Sequence, residues 1–370
     1  MKKLFLILSL SALLLSACQD NPMEDESAEI TLNRKVYVAV ENENKIAIVD
    51  PLAGTVIKEI ELPGMPHNVQ VAPDEATVWV TVTDQLVVIS TESDEVVSTV
   101  ELGTDLHLAH VVLSPNSHWA YTTSQETDTL FVVDAQDYSL ERSIPLPANA
   151  EPHGLRLSPD GNMAYIALMG SKGMGVLDLN SDQYEFIDFG DATVQTGVTP
   201  NGKWAFASLY STKQLVLYNI ETKTVSKVFL PEAKGPVQVY ATPDSRYVYV
   251  ADQGFYFDQP TSDAVYKVDL ESQEVVATIT AGEGPHGVAI SKDGSQVYVT
   301  NIVSGDLSII DTKTDRVIKT IEIGKAPNGV SVLEGPFKEP VSLTPVASIS
   351  HPHGLSVDLL DPNKVYIATH

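Results

Sequence analysis

Three Pro-His pairs, Pro66-His67, Pro152-His153 and Pro285-His286, place their histidines six residues ahead of a turn-initiating residue, respectively Pro73, Pro159 and Lys292. The same count back from Pro115, Pro200 and Pro243 reaches Ala109, Val194 and Val237, with His110, Gln195 and Gln238 one step later, and a seventh phrase carries Asn328. Imidazole is the commonest metal ligand and titrates near neutrality, so histidines at one repeated position can hold a transition metal or exchange protons with a substrate. A plainer reading competes: a repeated Pro-His-Gly turn in which each imidazole caps local backbone groups, since His67, His153 and His286 come from non-adjacent repeats too far apart to share an ion. The sequence favours the plainer reading. It leaves His67, His110, His153, His286, Gln195, Gln238 and Asn328 as ligand-binding candidates, the four histidines also as candidate metal ligands, and no certain cofactor.

A second irregularity is the segment Asp252 to Asp263, which holds Phe255, Tyr256 and Phe257. Adjacent aromatics in an exposed loop pack down or bind something, because contiguous apolar surface is uncommon on monomers. Asp84, Glu126, Asp128, Asp263 and Asp306 fall in corresponding connections and are read as a negative field or as solvated surface. No Gly-x-Ser-x-Gly elbow occurs, so no nucleophile of that kind is expected. The glycine-rich Gly170 to Gly175 leads into no helix and is not a phosphate cradle.

The elements that must position these residues follow from a repeat. A strand-like phrase centred on an aromatic recurs at Tyr37, Trp79, Tyr121, Tyr165, Phe206, Tyr249 and Tyr298, at spacings of 41 to 49 residues. Turn phrases such as Pro159-Asp160-Gly161 lie upstream, and alternating strands such as Leu307 to Asp311 and Val317 to Ile321 lie downstream. Four short strands per repeat, called A to D here with the aromatic strand as B, and no helical periodicity beyond the N-terminus indicate an all-β propeller. The phrase Val297-Tyr298-Val299-Thr300-Asn301, followed by Ser304-Gly305-Asp306-Leu307, resembles the YVTN-repeat (YncE-like) β-propeller family over about residues 35–333. That resemblance implies the fold and says little about activity, because propellers host many functions. The domain enters at the B strand near Val36, and the last A strand, near Val330, has no B strand of its own. Pairing these two closes seven four-stranded blades.

The termini read differently. Lys2 and Lys3 precede an apolar run to Leu15 and the phrase Leu15-Ser16-Ala17-Cys18, which predicts a signal segment over 1–17. It resembles the lipobox of bacterial lipoproteins, which implies lipidation of Cys18 and an exported, membrane-anchored protein; 18–34 is an acidic tether. Residues 334–370 hold a Pro/Gly linker and a partial extra repeat that resembles the opening of a second propeller of the BNR/Vps10-like type.

Length and charge set the outer limits. A chain of 370 residues has room for a large core, and its net charge of -26 repels phosphate backbones, which argues against nucleic acid as a partner. One cysteine excludes an intrachain disulfide. The expected function is a binding or scaffold module, a monomer taking a small molecule or protein at a histidine-bearing channel mouth. Two alternatives stand beside it. One is a metal-dependent or redox enzyme using the histidines, whose placement is similar to the copper-bound histidines of nitrous oxide reductase, also a propeller. The other is a lactonase, lyase or glycosidase.

Overall fold

The computed structural model describes residues 34–335 except 256–257, together with the strands Pro352–Val357 and Val365–Thr369. The signal segment, Cys18, most of the tether, Tyr256 and Phe257 lie outside the described residues.

Seven four-stranded antiparallel sheets make up the described ring. Within each blade the A strand is innermost and the D strand outermost. The A strands are Pro66–Val71, Leu108–Leu113, Pro152–Leu157, Thr193–Val198, Pro236–Ala241, Pro285–Ile290 and Pro327–Leu333. The B and C strands are almost wholly buried, as in Lys35–Val40 and Lys45–Asp50. The D strands expose most residues, as in Arg316–Glu322, where Ile321 alone turns fully inward. This gradient explains the apolar runs in B and C and the looser alternation in D.

The ring closes as the repeat predicts. Strand Lys35–Val40 pairs on one side with Lys45–Asp50 and on the other with Pro327–Leu333, matching Val36 to Val332 and Val38 to Val330. Blade one is therefore built from both ends of the domain. The tail strands Pro352–Val357 and Val365–Thr369 pair antiparallel with each other.

The apolar residues fall into seven clusters, each seated between two neighbouring blades. Val330 belongs to the seam between blades seven and one, and Leu333 to the seam between blades one and two. Loss of the closing strand thus opens two seams at once. A chain ending at Asn328 loses the burial of these two side chains alone, about 3–6 kcal/mol, besides the strand pairing. Its melting midpoint, followed by circular dichroism, is expected to fall by about 10 °C or more; an unchanged midpoint would show that closure contributes little.

Candidate functional site

Every A strand opens with the same irregularity. In blade two Pro66 pairs with Val82 and Val69 with Val80, so His67 and Asn68 together oppose Thr81 alone. The same two-against-one β-bulge places Ala109 and His110 against Thr123, His153 and Gly154 against Ala167, Val194 and Gln195 against Ser208, Val237 and Gln238 against Ala251, His286 and Gly287 against Thr300, and Asn328 and Gly329 against Ala39. A bulge re-aims side chains that a regular strand would send to opposite faces. This is why the ring residue is the first of the pair in some blades and the second in others.

Hydroxyls from the B strands pin the bulges. Thr300 Oγ1 accepts the Gly287 N–H (2.8 Å) and donates to the Asn328 carbonyl of the next blade (2.5 Å). Thr81 does the same between the Asn68 N–H and the Ala109 carbonyl, both at 2.9 Å. Ser208 links the Gln195 N–H to the Val237 carbonyl, and Thr123 donates to the His153 carbonyl. At the four bulges that face Thr or Ser the hydroxyl thus reaches a carbonyl of the neighbouring blade, a role invisible in sequence; Ala167, Ala251 and Ala39 face the other three. Thr300→Val leaves that neighbour's carbonyl without its donor.

The acidic residues of the B-to-C connections hold the loops that lead into the ring. Asp84 accepts the N–H groups of Asp105, Leu106 and His107, and Asp128 those of Asn149 and Glu151. Asp306 accepts from the Asn301 side-chain amide at 2.6 Å. For these three the reading as free solvated charge is corrected: their oxygens are used by the D-to-A loops and the motif asparagine. Phe255 begins the aromatic loop in a left-handed conformation (φ 67°) and is 53% exposed.

The expectation that the histidines lie too far apart is also corrected. His67, His110 and His153 sit on three consecutive blades, and one ring nitrogen of each lies within 4.8 Å of the other two. Their rings stand edge to face, with centroids 5.0–5.5 Å apart. His67 Nε2 and His153 Nε2 are 3.3 Å apart. His286 falls outside this group; its Nδ1 is 2.5 Å from the Gln253 side-chain oxygen. Local backbone capping is not what His153 does: its Nδ1 donates to the Val194 carbonyl of the neighbouring blade at 2.9 Å.

The remaining candidates surround the cluster. The side-chain nitrogens of Gln195 and Gln238 lie 3.3 Å from Nδ1 and Nε2 of His110 respectively, and Gln195 donates to Gln238 at 3.1 Å. Gly154 is required here: a Cβ on it would lie 1.7 Å from the Gln195 side-chain oxygen. Asn328 donates to Glu41 and to Nδ1 of His67. Sequence reasoning missed Asn68, Glu41 and Gln253. Asn68, beside His67, was the one a signal could have found, because it fills the second bulge position that holds glycine beside His153 and His286.

The network assigns the protons. Asn328 donates to His67 Nδ1, so His67 carries its hydrogen on Nε2 and directs it at the bare Nε2 of His153. The rings are neutral: burial, reinforced by the other imidazoles, holds His110 well below the usual histidine range, burial with His107 nearby lowers His67 to about 4, and burial with His67 nearby lowers His153 to about 3. Three buried polar atoms around them, Asn328 Oδ1, Gln253 Nε2 and His286 Nε2, have no protein hydrogen-bond partner. Such atoms cost free energy unless a ligand or water meets them.

The lowered pKa values fix the sign of a pH dependence. Below about pH 6.5 the unfolded chain takes up protons on these histidines while the native chain does not, so stability is flat above that pH and falls below it. Each such histidine contributes a slope of up to about 1.4 kcal/mol per pH unit between its two pKa values. Urea unfolding of chelator-treated protein is expected to show a lower midpoint at pH 5 than at pH 7, and a smaller difference in His153→Gln; an equal difference would contradict the burial effect.

Comparison with known proteins places the chain by fold and family. Solved structures similar to it include a chain of hydrazine synthase from Kuenenia stuttgartiensis, at 19% identity and TM-score 0.65, covering 76% of this chain and 98% of that one. A functionally unknown protein from Desulfotomaculum acetoxidans matches at 17% identity and TM-score 0.67, covering 81% and 99%. Apo AztD from Citrobacter koseri matches at 10% identity and TM-score 0.63, covering 81% and 97%. At these identities the likeness is one of fold. No curated protein gives a significant match. The profile of the YncE-like β-propeller matches residues 6–337, and on that match the chain belongs to the YncE-like β-propeller family.

Proposed function

We propose that this propeller binds a divalent transition-metal ion, of the zinc or copper class, at the channel mouth through His67, His110 and His153. The observation that carries the reading is the convergence of three neutral imidazoles from consecutive blades. Two nitrogens bound to one tetrahedral ion at about 2.0–2.1 Å stand about 3.3–3.4 Å apart. His67 Nε2 and His153 Nε2 already have that spacing, at 3.3 Å. A rotation of His110 supplies the third nitrogen.

The surroundings suit this use. His153 donates its one ring hydrogen, on Nδ1, to a backbone carbonyl, the arrangement that orients metal-bound imidazoles. Ligation through His67 Nε2 needs the ring hydrogen on Nδ1 instead, which requires the Asn328 amide, held also by Glu41, to turn away from that nitrogen. Neutral rings bind without first releasing a proton, so affinity does not compete with protonation near neutral pH. Three protein ligands leave a fourth position for water or a small molecule, which supports the metal-dependent enzyme as a second reading. On the binding reading the signal segment exports the module and a lipid on Cys18 anchors it to a membrane.

Protein purified without a histidine tag is expected to bind one equivalent of zinc or copper. His153→Ala should weaken that affinity at least a hundredfold, and His286→Gln should leave it within about threefold. Metal at a hundred times its dissociation constant should stabilise the native chain by about 2.7 kcal/mol. Absence of stoichiometric binding to the unaltered protein, or equal binding by His153→Ala, would refute the site. For the anchor, Cys18→Ser should move the protein from the membrane fraction to the soluble fraction; retention with the membrane would show that Cys18 does not hold it.

A further inference from the structure

The opposite end of the channel carries a different chemistry. Beyond the ring residues lies a cavity of about 180 Å³ lined by Gln70, Arg156, Gln238, Tyr240 and Ser331, reaching the A-to-B turn residues Glu75 and Lys292. Arg156 lies on the innermost strand Pro152–Leu157, two residues beyond the Gly154 bulge. One of its N–H groups donates to the Leu155 carbonyl at 2.9 Å, and its guanidinium carbon lies 5.6 Å from the centre of the Tyr240 ring.

Among the described residues Arg156 has no carboxylate partner. Arg34, Arg142 and Arg246 each hold one, respectively Asp293, Asp182 and Asp269. The two carboxylates that line the same cavity are occupied elsewhere. Glu75 pairs with the Lys292 ammonium, while Glu334 pairs with Arg34 and accepts the Lys292 N–H. Arg316, exposed on the outermost strand Arg316–Glu322, is the other described arginine without one, so Arg156 is the one that lines the channel. Guanidinium has five N–H donors in a planar fork that matches the paired oxygens of a carboxylate or phosphate, and this one commits a single hydrogen bond to backbone. A cation removed from bulk water without a counter-charge is costly, and an entering anion relieves that cost.

We propose that the channel binds a small oxyanion, a carboxylate or a phosphate, on Arg156, with the ligand entering from the face opposite the histidines. Tyr240 flanks the guanidinium, and the Gln70 and Ser331 side chains line the remaining wall. The cavity volume suits a small acid, below the range of about 300–1,000 Å³ common for drug-sized ligands. The anion is held without metal, although Gln238 lines this cavity and also lies 3.3 Å from His110 Nε2.

Chelator-treated, full-length exported chain is titrated calorimetrically with malonate and with inorganic phosphate, with chloride at matched ionic strength as the reference. Saturable binding of one anion per chain is expected, at least tenfold weaker in Arg156→Gln and intermediate in Arg156→Lys, which keeps the charge but not the fork. Malonate alone binding assigns a carboxylate ligand, and phosphate alone assigns a phosphoryl one. Circular dichroism melting checks each variant; if Arg156→Gln does not fold, the comparison with Arg156→Lys decides. No saturable binding of either anion to the unaltered protein, or unchanged affinity in the folded variants, overturns the proposal.

Discussion

A four-stranded blade is too thin to shelter its own apolar residues, so each blade is stable only against its two neighbours. This constraint explains why the buried residues form seven seams around an axis instead of one central core. It makes the pairing of Val36 and Val38 with Val332 and Val330 necessary, because an open ring would expose the faces of two blades and a sheet edge. It also leaves the axis free of apolar packing. The residues facing that axis can therefore be polar without loss of the core.

The bulge at the head of each innermost strand turns that freedom into a site. Two residues against one push the polar member of each pair into the channel, and Thr81, Ser208 and Thr300 hold the bulge to the next blade. Because the clamp acts between blades, the same bonds that register the ring also fix the spacing of the imidazoles. Glycine at the second position of a bulge makes room for the neighbour: Gln195 fills the space beside Gly154. A ring of small structural devices thus yields a rigid polar layer.

The electrostatics of the channel run against the protein's overall charge. A net charge of -26 would raise histidine pKa values through its field, yet burial is the largest influence on His67, His110, His153 and His286, and all four are lowered. Distant surface carboxylates are screened within about 8 Å at physiological salt, whereas desolvation acts at the ring itself. The result is a neutral, lone-pair-bearing layer near one mouth and a single unpaired guanidinium beyond it. A metal cation suits the first and an anion the second, and the acidic exterior favours approach of the cation.

Repeat length, strand order, blade number and the closing strand were legible in the sequence, because each rests on local signals: period-two alternation, turn residues before Tyr165 or Tyr298, and an orphan A strand near Val330. The ring of polar residues was legible as well, down to the one-residue offset of His110, Gln195 and Gln238. The meaning of that offset was not, since a bulge is defined by its partner strand and leaves no composition signal. Nor could spacing along the chain show that His67, His110 and His153 meet, since their distances depend on how closely seven blades crowd an axis. The same holds for Arg156, which reads as an ordinary charged residue until the ring shows every nearby acid engaged elsewhere. Sequence determined the architecture because hydrophobic periodicity acts within a blade; only the tertiary structure decided the chemistry, because the channel is made between blades.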